Sequence, residues 1–437
     1  MKAIIFENNL LKVLISFVFS KITKRVYLGF FSPLRLLENN NDNITLSDTD
    51  VLVETILCGY CGTDKSILTY NMSVKSSVFV DTKRHNEKKI YLGFFSPLRL
   101  LENNDSIVLS DTDVLVETIL SGYCGSDKQI LTYDISFKSS ALADTKRHKQ
   151  KKIYLGHEIV GKVKSVGKKV TNLSAGDHVI LDSKIRDETI TSRNKYGGWS
   201  SQFVRDQSQL ININRNLDIE KAVLIEPLAC AFGALRKSNI KSKDHILILG
   251  GGIIGQGLLV LLRYFYKKEV KISIATKSTI HKNIIDKHLP DNIIFNEDIF
   301  IASKKILKTD IKKNYSNKIL KTGYDKIFDC TGDEKLLNKL LRLCNNNGTI
   351  ILTGTNMKLS KIDPTPSWHR EINLVGSHAY EESYPDLKEK TLKYLEGLIL
   401  NGEIKIDNLK VNKVNIKNWK YLFKENHDSI KNTISFL

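Results

Sequence analysis

Residues 245–257 read His-Ile-Leu-Ile-Leu-Gly-Gly-Gly-Ile-Ile-Gly-Gln-Gly, and an apolar helical stretch from Leu258 to Tyr266 follows. No other segment restricts the fold as tightly. A buried aliphatic strand runs into a Gly-x-Gly-x-x-Gly turn and then into a helix. The glycine pattern alone is weak, and a ligand-free turn would carry it too. Between a strand and a helix it is the fingerprint of a dinucleotide-binding unit. Gly250 makes the tight turn, Gly252 lets backbone approach a pyrophosphate, and Gly255 permits close helix–strand packing. The helix N-terminus then stabilises the phosphate charge. Further strands at Val270–Ala275, Tyr324–Gly332 and Gly348–Gly354 alternate with helical segments, which predicts an α/β unit with a doubly wound parallel sheet.

A second segment, Leu155 to Val179, has a different grammar. It opens Leu-Gly-His157-Glu158, carries glycines at strand-like intervals and closes on the turn Gly176-Asp177. Such glycines suit a small barrel whose strands bend sharply, where residues with a Cβ are excluded. The His-Glu pair, glycine spacing and Gly-Asp turn together resemble the signature of the zinc-containing medium-chain dehydrogenase/reductases, the alcohol and polyol dehydrogenase superfamily. The resemblance runs through about 155–437 and covers parts of the preceding segments, leaving 15–26 unplaced. It implies a GroES-like β-barrel catalytic domain joined to a Rossmann domain. The corresponding division is 1–221 for the barrel, 222–374 for the nucleotide domain and 375–437 for a C-terminal return to the barrel. In that return, Ile372–His378 reads as a strand near the nicotinamide and Glu382–Leu400 as one amphipathic helix.

The N-terminal third contains a tandem duplication. Segments 27–90 and 91–153 align with a one-residue gap and share about four positions in five. Both hold Asp-Val-Leu-Val-Glu-Thr-Ile-Leu followed by Gly-Tyr-Cys-Gly-(Thr/Ser)-Asp, so Cys61 and Cys124 occupy equivalent places. Only the second copy runs directly into His157-Glu158. Its shorter connection costs less loop-closure entropy, which favours Cys124 and leaves Cys61 on a surface insertion. Copy 1 has nearly the same strand and competes for the position. Cys58 completes a Cys-x-x-Cys with Cys61, but its counterpart in copy 2 is Ser121, so that pairing reads as coincidence.

A catalytic zinc takes three protein ligands and leaves one position open. The resemblance assigns Cys124 and His157 as two of them. It assigns Glu226 as the third, because Ile225-Glu226-Pro227-Leu228 is similar to the Glu-Pro-Leu segment of polyol and sugar dehydrogenases. Glu158 becomes an outer or exchangeable ligand. Individually, a buried cysteine is often plain core and a glutamate plain surface. Cys230, one helical turn past Glu226, reads as core. The cysteine-rich lobe that holds a structural zinc in many relatives is replaced by the polar run 181–197, so one catalytic zinc and no structural zinc are expected.

Such a zinc lowers the pKa of a substrate hydroxyl, and hydride then passes to the nicotinamide. Ser126 matches the hydroxyl that relays the proton outward in relatives, although a serine there also suits a helix N-cap. After the second nucleotide-domain strand the chain has Thr276, Lys277 and Ser278 where an NAD enzyme usually has an acid. A hydroxyl and a cation suit a 2′-phosphate, so NADP(H) is favoured over NAD(H); a solvated loop in a Lys-rich chain explains the same residues. Thr331, ending the fourth strand, is placed at the cofactor.

The formal net charge is +18, yet lysines are spread along the chain without aromatic interleaving. That excludes a dedicated nucleic-acid module and leaves salt-sensitive duplex binding a remote alternative. Six scattered cysteines make no disulfide framework and suit a reducing cytoplasm. The apolar run Leu10–Phe19 is interrupted by Lys12 and lacks a cleavage site, so it reads as core strand rather than leader. No segment has the length of a membrane span. The expectation is a cytoplasmic oxidoreductase moving hydride between a polyol, sugar or cyclitol secondary alcohol and NAD(P), assembled as a homo-oligomer. Two alternatives stay open: a catalytically impaired NADP(H)-binding protein, its site spoiled by the duplication, and a zinc-independent quinone-type reductase.

Overall fold

The computed structural model describes residues 2–7, 53–54, 71–72, 98–102, 107–127, 152–183, 197–314, 317–333, 335–354, 361–423 and 429–436. Cys58, Cys61, the Leu10–Phe19 run and most of the polar loop after Leu181 lie outside them.

The barrel is organised around one long strand, Asp113–Gly122, from the second copy. It pairs antiparallel with Ile159–Val166, with Gln202–Asp206 and with the C-terminal strand Lys431–Ser435. His178–Leu181 and Leu210–Ile213 extend the sheet on one side, and Val411–Asn415 extends it on the other. Val114, Val116, Ile159, Val163, Val179 and Phe203 fill its interior. The expected glycines bear out the bending: a Cβ on Gly161 would lie 2.4 Å from Val116, and one on Gly167 would lie 2.2 Å from the Ser110 carbonyl oxygen.

Beside the barrel, Lys2–Glu7 pairs antiparallel with Leu98–Glu102 and with Lys152–Tyr154. Both partners come from copy 2. Among the described residues copy 1 contributes only Val53–Glu54, paired with Asn71–Met72.

The nucleotide half is a six-stranded, wholly parallel sheet. Its strands are His245–Leu249, Lys271–Thr276, Asn292–Phe295, Tyr324–Asp329, Cys344–Leu352 and Asn373–Gly376. In spatial order they run third, second, first, fourth, fifth, sixth, the doubly wound arrangement. Side chains alternate across it, as a strand's two-residue period requires. Ile246 and Ile248 join one core with Phe328 and Ile351, while Leu247 and Leu249 join the opposite core with Ile327 and Ile350.

The sixth strand ends at Gly376. One local expectation is corrected. The helix expected over Glu382–Leu400 spans only Thr391–Leu400. Pro385 disfavours helical backbone in the residue before it and supplies no amide donor. Asp386 is instead clamped by Arg236 at 2.8 and 2.6 Å, and Thr391 closes the preceding loop by donating to the Glu382 and Glu381 carbonyls.

Candidate metal and nucleotide sites

Cys124 sits where the central barrel strand ends and a short helical turn, 125–127, begins. Asp127 reaches back to accept from the Cys124 amide at 3.0 Å and from the Gly156 amide at 3.4 Å. One buried carboxylate thus ties the two halves of the site together. Gly156 has φ +85°, and a Cβ there would lie 2.5 Å from Trp199 and 2.8 Å from the Ser121 hydroxyl. Only glycine lets the chain turn at this point and deliver His157 and Glu158 inward. His157 turns Nδ1 toward Asp127 at 3.9 Å, beyond hydrogen-bonding range.

A donor atom from each of Cys124, His157 and Glu158 lies within 4.8 Å of the other two. Glu226 is not in that tight group. It sits in the first turn of the helix Ile225–Arg236, buried, accepting from the Ser183 hydroxyl at 3.2 Å and facing the Cys230 thiol at 3.9 Å. Burial pushes its carboxyl up to about 7, against the opposing pull of His157 and Lys431. The pKa of His157 is raised as well, but by neighbouring charge rather than by burial. Desolvation lowers its pKa, but the negative charge of Cys124, Asp127 and Glu226 outweighs it and holds the imidazole well above its ordinary value.

The electrostatics suit a metal. A thiol, an imidazole and several carboxyl groups crowd one largely buried region where Lys431 supplies a cation, and such donors are costly to bury without positive charge between them. Sulfur, nitrogen and oxygen donors of this kind form a zinc set. Ser126 is exposed on the turn.

At the glycine turn, Gly250 has φ +108°, and a Cβ on Gly255 would come within 1.9 Å of the Gly250 carbonyl oxygen. Around Gly252 the Cβ position is open, with no atom within 4 Å. Thr331 packs its methyl against Gly250 and donates its hydroxyl to Asp329 at 2.7 Å. Thr276 is buried, and its hydroxyl accepts from the Ser278 amide at 3.2 Å. Lys277 is exposed at the strand tip, and Ser278 caps the helix Thr279–Ile285.

Four residues escaped sequence reasoning. Asp127 lay in plain view inside the Gly-Tyr-Cys-Gly-Ser-Asp motif. Lys431 gave no signal in a chain with 66 lysines and arginines. Asp182 and Tyr380, joined at 3.1 Å and buried, connect the barrel to the C-terminal return across 198 residues, a contact no local pattern announces.

The chain is similar to known proteins in both halves of the fold. Residues 110–215 match the alcohol dehydrogenase GroES-like domain, and residues 298–393 match the zinc-binding dehydrogenase family. L-idonate 5-dehydrogenase of Vitis vinifera is 26% identical over 294 residues, covering 63% of this chain and 76% of the relative. D-arabitol-phosphate dehydrogenase of Enterococcus avium is 26% identical over 334 residues, covering 72% and 86%. Among solved structures, 2R,3R-butanediol dehydrogenase from Bacillus subtilis superposes with a TM-score of 0.61 at 20% identity, over 77% of this chain and 96% of that one. Over these matched segments the chain resembles the zinc-containing medium-chain dehydrogenase/reductases, the superfamily of alcohol and polyol dehydrogenases.

Proposed function

We propose that this protein is a single-zinc, NADP(H)-preferring dehydrogenase that interconverts a polyol, sugar or cyclitol secondary alcohol with its carbonyl. The convergence of Cys124, His157 and Glu158 at the mouth of the barrel carries the reading. Cys124, His157 and Glu226 would hold the metal, with Glu158 as an outer or exchangeable partner. When bound, the zinc supplies Lewis-acid polarisation of the substrate hydroxyl and the nicotinamide accepts the hydride. Asp127 ties the Cys124 loop to the Gly156 turn that precedes His157. The exposed Ser126 hydroxyl passes the substrate proton outward to solvent. Gly250, Gly252, Gly255 and Thr331 receive the dinucleotide, while Thr276 and Lys277 meet the ribose end.

The barrel, nucleotide domain and C-terminal return act as one unit, divided near 221 and, after the sixth strand, near 376. That strand is a sheet edge with Leu374 45% exposed, and Trp368 beside it is 80% exposed, which supports a homo-oligomer built across this edge. No described helix is long and apolar enough to cross a membrane. A cytoplasmic setting is supported by the free thiols of the described cysteines Cys124, Cys230, Cys330 and Cys344. The impaired-protein alternative drew on displacement of the site by the duplication. We do not favour it, because copy 2 supplies the central barrel strand Asp113–Gly122 and Cys124.

The test is zinc content per chain together with NADP+-dependent oxidation of a polyol panel. About one zinc and turnover that prefers NADP+ are expected. Folded protein that takes up no zinc would overturn the reading.

A further inference from the structure

Gln256 lies in the first turns of the helix Ile253–Tyr266 and is fully buried, next to Gly257 and the equally buried Leu258 and Leu259. Its Nε2 donates to the Gly251 carbonyl oxygen at 2.8 Å. Its Oε1 is buried without a hydrogen-bond partner among the described residues. Exchanging the two amide atoms would set oxygen against oxygen, so the orientation is determined by the bond itself. An unpaired buried amide oxygen is a standing cost that leucine or methionine would avoid. The compensation lies in the turn.

Gly251 and Gly252 share a trans peptide, in which the carbonyl and the amide point in opposite directions. Holding the Gly251 oxygen inward therefore aims the Gly252 N–H outward, away from Gln256. On the Cα side Gly251 is already enclosed, since a Cβ there would lie 2.9 Å from the Thr276 hydroxyl and 2.8 Å from Ile285. The open space at Gly252 is on the free side of the turn.

We propose that Gln256 is a positioning residue that locks the Gly251–Gly252 peptide with its N–H presented to a dinucleotide pyrophosphate. This rests on the nucleotide-binding role proposed above and adds a determinant that the glycine pattern does not contain. The amide gives up some stability of the free protein for a preorganised turn.

The full chain is titrated with NADPH and, separately, NADH by nucleotide fluorescence, comparing the parent with Gln256→Met and Gln256→Leu. Thermal midpoints are recorded without nucleotide, and zinc content is measured. The expected result is NADPH binding weakened by about three- to tenfold, with an equal or higher midpoint and unchanged zinc. A residue that merely packs the core would lower the midpoint and the affinity together, and that outcome overturns the proposal. Variants that bind as tightly as the parent also overturn it, alone. A parent that binds neither nucleotide overturns it together with the functional reading.

Discussion

The ammonium of Lys431 lies 2.6 Å from both carboxylate oxygens of Glu158, a buried ion pair joining residues 273 apart in sequence. The lysine arrives on the last strand of the chain, and the glutamate belongs to the motif that carries His157. Gly122 makes room for them, because a Cβ there would sit 2.0 Å from the Glu158 carboxylate. The C-terminal strand therefore borders the candidate metal site as well as completing the barrel.

Removing one partner leaves the other charged and buried. Lys431→Met is expected to destabilise the protein by about 3–5 kcal/mol, the cost of breaking a buried pair from one side. Lys431→Arg should lose less, since the charge survives. Urea unfolding of both variants is the check, and equal losses would argue against an electrostatic cause.

The second and third glycines of the dinucleotide turn, Gly252 and Gly255, should fail differently. Gly255→Ala forces a Cβ to within 1.9 Å of the Gly250 carbonyl oxygen, so helix and turn must separate. A lowered thermal midpoint and lost NADPH binding are expected together. Gly252→Ala meets open space in the free protein. Its midpoint should stay within a degree or two, roughly the effect of an uncrowded Gly→Ala change, while NADPH binding falls.

The duplicated copy should be dispensable. Deleting 27–90 joins Val26 to Tyr91 and removes none of the described barrel strands. The shortened chain is expected to fold, bind zinc and keep its stability within about 1 kcal/mol, given how slowly loop-closure entropy varies with length. In the full chain Cys124→Ala should abolish zinc binding and Cys61→Ala should not. Zinc retained in Cys124→Ala would mean that copy 1 can take the place of copy 2.

Asp298 caps the helix Ile299–Leu307, accepting from the amides of Phe300 at 2.9 Å and Ile301 at 3.1 Å. Desolvation opposes ionisation, but those amides and Lys318 prevail and hold the carboxyl below its ordinary 3.8. A depressed folded pKa stabilises the protein above the unfolded value, and that contribution disappears as pH falls through the folded one. Asp298→Ala should cost about 1 kcal/mol near neutral pH. The gap between parent and variant in unfolding titrations should close below pH 3.8.

Much of the site was legible because its parts are local. The strand–turn–helix at 245–266 and the glycine turn at 156 depend on backbone angles and close approaches that neighbouring residues specify. Cys124, His157 and Glu158 come from motifs that the family resemblance singled out, and the structure brings their donor atoms within 4.8 Å. Glu226 was also legible as a motif, but its distance from that tight group was not. Lys431 and the Asp182–Tyr380 contact were invisible, since each depends on where a remote strand returns. The overlong helix at 382–400 shows the same limit: apolar spacing continued through Pro385, while proline and the Arg236–Asp386 clamp ended the helix.

The duplication separates the two kinds of information most plainly. By itself the sequence determined that a barrel strand, a cysteine and a following Asp were available, and it supplied them twice. It also determined the parallel nucleotide sheet, whose buried strands and glycine turn admit few other arrangements. Val53-Glu54 and Val116-Glu117 are the same dipeptide in the same local context, yet they occupy different structures. Val53 pairs with Met72, whereas Val116 lies between Val163 and Phe203 in the barrel core. Local propensity cannot tell them apart. Tertiary structure decides, because one barrel position accepts one strand, and the copy adjoining His157 reaches it with the shorter loop.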